Sequence, residues 1–164
     1  MLVRFKEDDI RSMGRSAAGV RGIKLREGDF VVGMEILEPG QEILVVTENG
    51  YGKRTPESEY RLQSRGGLGL KTMQITDKNG KMCAVKAVDG SEDIMLITIN
   101  GMLIRMDVND ISVIGRSTQG VRLIRLAEGE YVATVARVKK EEDAPDDEEI
   151  DSEIEGESDS GIEE

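Results

Sequence analysis

Residues Gly115–Leu126 read GRSTQGVRLIRL, a polar stretch with Arg116 and two glycines that gives way to a short apolar run. Residues Gly14–Leu25, GRSAAGVRGIKL, nearly repeat it. Extending the alignment outward gives three copies of one unit. Arg4, Arg54 and Arg105 are equivalent, as are Arg15, Arg65 and Arg116, and Gly19, Gly69 and Gly120, at steps of 50 and 51 residues. Acidic-apolar pairs fall at the same steps: Asp9-Ile10, Glu59-Tyr60 and Asp110-Ile111. Such self-similarity marks a repeat architecture, in which each unit buries its apolar surface against its neighbours.

Within a unit the pattern is all-β. In EILVVTENGYGKRT and IMLITINGMLIRMD, an apolar, β-branched run meets Asn-Gly and then a second run. That pattern predicts a hairpin, with Asn-Gly in a type I′ turn. After the glycine-arginine segment comes a short strand (VRGIKL, LGLKTMQI, VRLIRL), a turn, and a last strand (DFVVGMEI, MCAVKAV, YVATVARV). No helical stripe of useful length competes. Four strands per period predict propeller-like blades over residues 1–41, 42–92 and 93–138, followed by a tail over 139–164. Propeller rings take about four to eight blades. Three cannot close one, and Met1 already stands past the Asn-Gly position of its siblings, so the expectation is a partial set belonging to, or pairing with, a longer protein.

Composition narrows the chemistry. There are no histidines, which excludes a His-based triad or a zinc site of His and Cys. The lone Cys83, in MCAV, rules out an internal disulfide and reads as core filler. Tyr51, Tyr60 and Tyr131 fall in strand contexts and read as core or edge packing. No apolar run approaches the roughly 18 residues of a membrane span, and MLVRFKEDD lacks a signal peptide's apolar core. A soluble, cytoplasmic protein is expected.

The net charge of −11 hides an asymmetry. Fourteen of the 33 acidic residues lie from Glu141 onward, where there is no Lys or Arg, so residues 1–140 set all 22 basic residues against 19 acids, a net of +3. The acidic stretch cannot bury enough apolar surface to offset chain entropy and is expected to be disordered. It reads as a solvated extension, a competitor for whatever anionic ligand the basic body binds, or a partner-binding tail.

Loops carry function more often than strands. In the middle copy, QSRGGLG over Gln63–Gly69, the glycines permit close backbone approach to a ligand and Arg65 offers a forked donor suited to phosphate. Arginines repeated at fixed steps would recur around one rim, which suits a bent DNA backbone. Two readings stand on these residues: a nucleic-acid surface, and a protein-binding scaffold whose arginines only solvate edges and whose glycines only make turns.

RFKEDDIRSMGRSAAGVRGIKL, NGYGKRTPESEYRLQSRGGLGLKT and NGMLIRMDVNDISVIGRSTQGVRLIRL resemble consecutive blades at the end of the C-terminal domain of the DNA gyrase A family. The resemblance covers residues 1 to about 138. It implies a six-bladed β-pinwheel whose blades exchange strands, of which this chain supplies the last three. It also implies a basic perimeter that binds and wraps double-stranded DNA without reading sequence, in support of ATP-dependent negative supercoiling. The equivalent domain of topoisomerase IV is the alternative within the family. The family's Gln-Arg-Arg-Gly-Gly-Lys-Gly box belongs to the first blade, which is not among these three. Gln63, Ser64, Arg65, Gly66, Gly67, Leu68 and Gly69 resemble a degenerate counterpart, with Ser64 and Leu68 at two of its basic positions.

The expected DNA contacts are Arg4, Arg15, Arg21, Lys53, Arg54, Arg65, Gly66, Gly67, Gly69, Arg105, Arg116 and Arg122. No catalytic residue, metal site or cofactor is expected in this chain, ATP and Mg2+ being bound elsewhere in the parent enzyme. The implied partners are DNA, the remaining domains of gyrase A and the gyrase B protein, in a bacterial cytoplasm at the nucleoid.

Overall fold

A computed structural model describes residues 1–140. The acidic stretch lies outside the described residues. Among the described residues the fold is all-β, as expected: seven strands, β1 (Glu42–Thr47), β2 (Tyr51–Pro56), β3 (Met82–Val88), β4 (Glu92–Thr98), β5 (Leu103–Asp107), β6 (Val121–Arg122) and β7 (Val132–Lys139), with three single-turn 3-10 helices. They form two antiparallel sheets, ordered β3-β1-β2-β6 and β5-β4-β7.

The run Ile43–Val46 is apolar without alternation because β1 is covered on both faces. Leu44 and Val46 point into one cluster with Ala84, Val88, Ile94, Leu96, Val108, Ile111 and Val135, which joins the two sheets. Ile43 and Val45 point the other way, to Tyr60 and Met73, with Leu2 and Leu37 of the first unit packed against them. Each such fully buried aliphatic side chain contributes about 1.5–3 kcal/mol. β4 alternates instead, burying Ile94, Leu96 and Thr98.

The hairpin turns differ from the expected type I′. Gly50 N donates to Thr47 O and Gly101 N to Thr98 O, both at 3.0 Å, so each turn begins one residue earlier than a two-residue loop would. Gly50 and Gly101 then adopt φ of +77° and +82°. This is a three-residue loop ending in a glycine bulge. The threonines favour it: Tyr51 N donates to Thr47 Oγ1 and Met102 N to Thr98 Oγ1.

The strand after each arginine loop leaves its own unit. β6, from the third unit, pairs with β2 of the second, Gly52 opposite Val121. Leu2 of the first unit pairs with Leu70 of the second in the same way, Leu2 being equivalent to Gly52 and Leu70 to Val121. A parallel bridge repeats beside it, Arg4 with Leu62 and Arg54 with Val113. Adjacent units are therefore sewn together by exchanged backbone. For the same reason the predicted strands over 20–25 and 68–75 form no ladder: residues 68–75 contribute only the Leu70 bridge, and 20–25 meet no preceding hairpin among the described residues. The predicted last strand of the first unit, over 29–36, is likewise not formed, so the first unit has no ladder strand among the described residues.

Candidate nucleic-acid interface

The repeated arginines divide into two structural classes. Arg4 and Arg54 point into the junctions. Arg4 Nη1 donates to Glu57 O and Tyr60 O at 3.0 Å and its guanidinium pairs with the Glu57 carboxylate. One step later, Arg54 Nε donates to Ile111 O at 2.9 Å and Nη1 to Glu42 Oε2 at 2.8 Å. Tyr60 and Ile111 are equivalent, so each arginine staples its unit to the carbonyl of the residue that caps the next unit's 3-10 turn. Arg54 is only 8% exposed and its fork faces protein acceptors. Arg105, the third of the set, instead binds Asp93 Oδ2 at 2.7 Å and Lys139 O at 3.0 Å, within its own sheet.

The conformationally special glycines also serve the junctions. A Cβ on Gly120, at φ +77°, would lie 2.8 Å from Gly52 O, and one on Gly69, at the same φ, 2.5 Å from Leu2 O. Only glycine lets the exchanged strand come this close. In the QSRGGLG loop, Gly66 N donates to Gly22 O and Gly67 O accepts from Lys24 N. The approach these glycines permit is to the first unit. Gln63 is half-buried, whereas Ser64, Arg65 and Leu68 are exposed.

The second class faces outward. Arg15, Arg21, Arg65 and Arg122 are exposed and make no ion pair among the described residues. Arg65 Nε donates weakly to Asp9 O at 3.2 Å. Its equivalent, Arg116, is half-buried and lies against Glu59, the equivalent of Asp9, at 3.9 Å, above the Tyr60 ring. The two arginines thus lie against equivalent residues of the preceding unit, Arg65 at the Asp9 backbone carbonyl and Arg116 at the Glu59 carboxylate. Arg116 Nη1 also donates to Lys71 O. Gly66, beside Arg65, lies against Arg21. Arg21, Lys71 and Arg122 are themselves equivalent, at the same steps of 50 and 51, and all three are exposed. The strip therefore runs Arg21-Arg65 across the first junction and Lys71-Arg116 across the second, with Arg122 at the repeat position one step further. Lys71 is absent from the expected contacts, although the repeat step alone points to it.

Lys53 is fully buried. Its Nζ donates to Gly115 O and Arg116 O, both at 2.6 Å, from beneath the Arg116 loop. Burial brings its pKa down to about 8, against the pull of the Glu59 carboxylate. Cys83 is half-buried, with its thiol pushed up to about 11 by burial, which suits packing and not nucleophilic attack. Tyr60 is fully buried, Tyr51 half-buried and Tyr131 exposed on the last strand's approach. Among the described residues no cluster of His, Cys, Asp or Glu could hold a metal, and no helix is long and apolar enough to cross a membrane.

Three blade-sized stretches, residues 1–38, 41–89 and 92–139, match the family model described as DNA gyrase C-terminal domain, beta-propeller. The chain belongs to that family. It is 56% identical over 144 residues to the A subunit of DNA gyrase from Staphylococcus epidermidis strain ATCC 12228, covering 87% of this chain and 16% of that protein. It is 55% identical over 148 residues to the corresponding gyrase protein of Staphylococcus aureus strain NCTC 8325, covering 89% and 16%. A solved DNA gyrase A C-terminal domain superposes with a TM-score of 0.75 at 28% identity, over 81% of this chain and 45% of that one. The C-terminal domain of DNA topoisomerase IV gives 0.76 at 26% identity, over 82% and 42%. The gyrase resemblance read from the sequence holds, and the pinwheel fold is shared with the topoisomerase IV domain.

Proposed function

We propose that this chain is the part of a gyrase A protein that binds the backbone of double-stranded DNA and holds it in a bend, supporting ATP-driven negative supercoiling by the whole enzyme. The observation that carries the reading is a basic strip at two repeated positions: exposed Arg15 and Arg65 with half-buried Arg116, and exposed Arg21, Lys71 and Arg122. Forked guanidiniums and ammonium groups contact phosphate without reading bases, so affinity depends on salt and not on sequence. Distributed contacts along a curved body offset the several kcal/mol that bending costs. The relatives' identity as gyrase A proteins supports gyrase over topoisomerase IV. The partners in this reading are DNA, the rest of gyrase A and gyrase B, at the bacterial nucleoid. ATP and Mg2+ belong to other parts of that enzyme, and this chain contributes no catalytic group.

Arg4 and Arg54 act in this scheme as internal staples, and Gly66 and Gly69 as close-packing positions. The test is an equilibrium titration of two duplexes of unrelated sequence over a range of salt. Equal affinities that fall linearly in log-log terms are expected. A preference for one sequence sinks phosphate recognition, and a response flat in salt points to a protein partner on the same fold.

A further inference from the structure

The two junctions are not built alike beneath the arginine loops. At the second, the loop backbone is held at nearly every carbonyl. Arg54 N donates to Ser112 O, Thr55 Oγ1 to Ile114 O at 2.8 Å, Lys53 Nζ to both Gly115 O and Arg116 O, and Gln74 N to Thr118 O. Thr118 Oγ1 adds a bond to Gly115 O. At the first junction the equivalents of Lys53 and Thr55 are Val3 and Phe5, which have no side-chain donor. Gln63 N to Arg4 O and Lys24 N to Gly67 O remain there, as the counterparts of Ile114 N to Arg54 O and Gln74 N to Thr118 O. In the third unit the Lys53 position is Ile104.

We propose that Lys53 is a positioning residue for DNA contact through Arg116: its buried ammonium fixes the carbonyls from which Arg116 projects, at this one junction among those described. The inference rests on the DNA-binding reading. Lys53 itself, with none of its surface exposed, cannot reach a phosphate. Its charge acts by holding two acceptors with charge-assisted bonds, stronger than the neutral bonds at the sibling junction. Arg116 keeps its place over Tyr60 and beside Lys71 because the backbone beneath cannot rock.

The test uses the whole chain with a linear duplex of mixed sequence, comparing wild type, Lys53→Met, Arg116→Gln and the double variant in salt titrations. Each single variant is expected to lower the log-log slope by about one, and the double variant by no more than that, since both remove the same phosphate contact. A slope unchanged in Lys53→Met, or additive losses in the double variant, overturns the proposal. Amide exchange provides a DNA-independent reading: Lys53→Met should speed exchange at residues 116–118 roughly tenfold and leave 65–67 unchanged. Equal protection of both loops overturns it. A chain that binds no DNA, yet shows the exchange difference, refutes the DNA reading while keeping Lys53 as the clamp of this loop. If Lys53→Met does not unfold cooperatively, the same measurements on Lys53→Gln decide, with the same outcomes.

Discussion

Replacing Gly120 by alanine separates the demands of backbone conformation from those of close approach. Gly120 and Gly101 share nearly the same left-handed conformation, φ +77° and +82°. A Cβ on Gly101 meets nothing within 4 Å, so Gly101→Ala carries only the conformational penalty, about 1 kcal/mol. A Cβ on Gly120 would run into Met73 Cε and lie 2.8 Å from Gly52 O. The methionine end can swing away. The carbonyl belongs to β2, and it can move only by parting β2 from β6, the exchanged pair that joins the second and third units. Overpacking of this kind adds about 1–3 kcal/mol, for a total near 2–4 kcal/mol. Urea unfolding of both variants, followed by circular dichroism, measures the difference. Equal losses at the two glycines would refute the idea that the exchanged strand dictates glycine at this repeat position.

Three further outcomes follow from the same contacts. Arg54→Met should cost about 3–5 kcal/mol, because it leaves Ile111 O and the Glu42 carboxylate without their partner in a largely buried place; unfolding by urea checks this. Lys53 has a folded pKa near 8 against 10.5 unfolded, so its burial penalty is full below pH 8 and is released as pH rises between these values. The stability of wild type relative to Lys53→Met should therefore increase from pH 7.5 to 9.5, by part of the roughly 3 kcal/mol available, in parallel unfolding curves; a relative decrease contradicts the assignment. Neutralising Arg15 and Arg65 together should lower the DNA salt slope by about two without shifting the urea midpoint, since both side chains are exposed.

The repeat was legible because equivalent residues do equivalent work at both described junctions: Arg4 and Arg54 staple them, and Gly69 and Gly120 allow the close approach. The hairpins were legible from Asn-Gly, but the turn type was not, because Thr47 and Thr98 draw the backbone into an earlier turn through side-chain bonds. The segments 20–25 and 68–75 read as strands by composition, yet a ladder needs a partner that lies in another unit, and no local pattern reports its register. In the candidate interface, sequence alone marks charge but not direction. Arg54, Arg65 and Lys53 look alike in a sequence, and only packing shows that Arg65 faces solvent while Arg54 and Lys53 face carbonyls. Lys71 was within reach of the repeat arithmetic, as the middle member of the Arg21, Lys71 and Arg122 set.

The division of basic residues between rim and junction is tested most directly by the salt dependence of duplex DNA binding in two variants of the whole chain. Neutralising Arg21, Lys71 and Arg122 together should lower the log-log slope by about three, whereas Arg54→Met, measured where it remains folded, should leave it unchanged. A slope that survives the loss of the rim set, or drops with Arg54, would contradict the account.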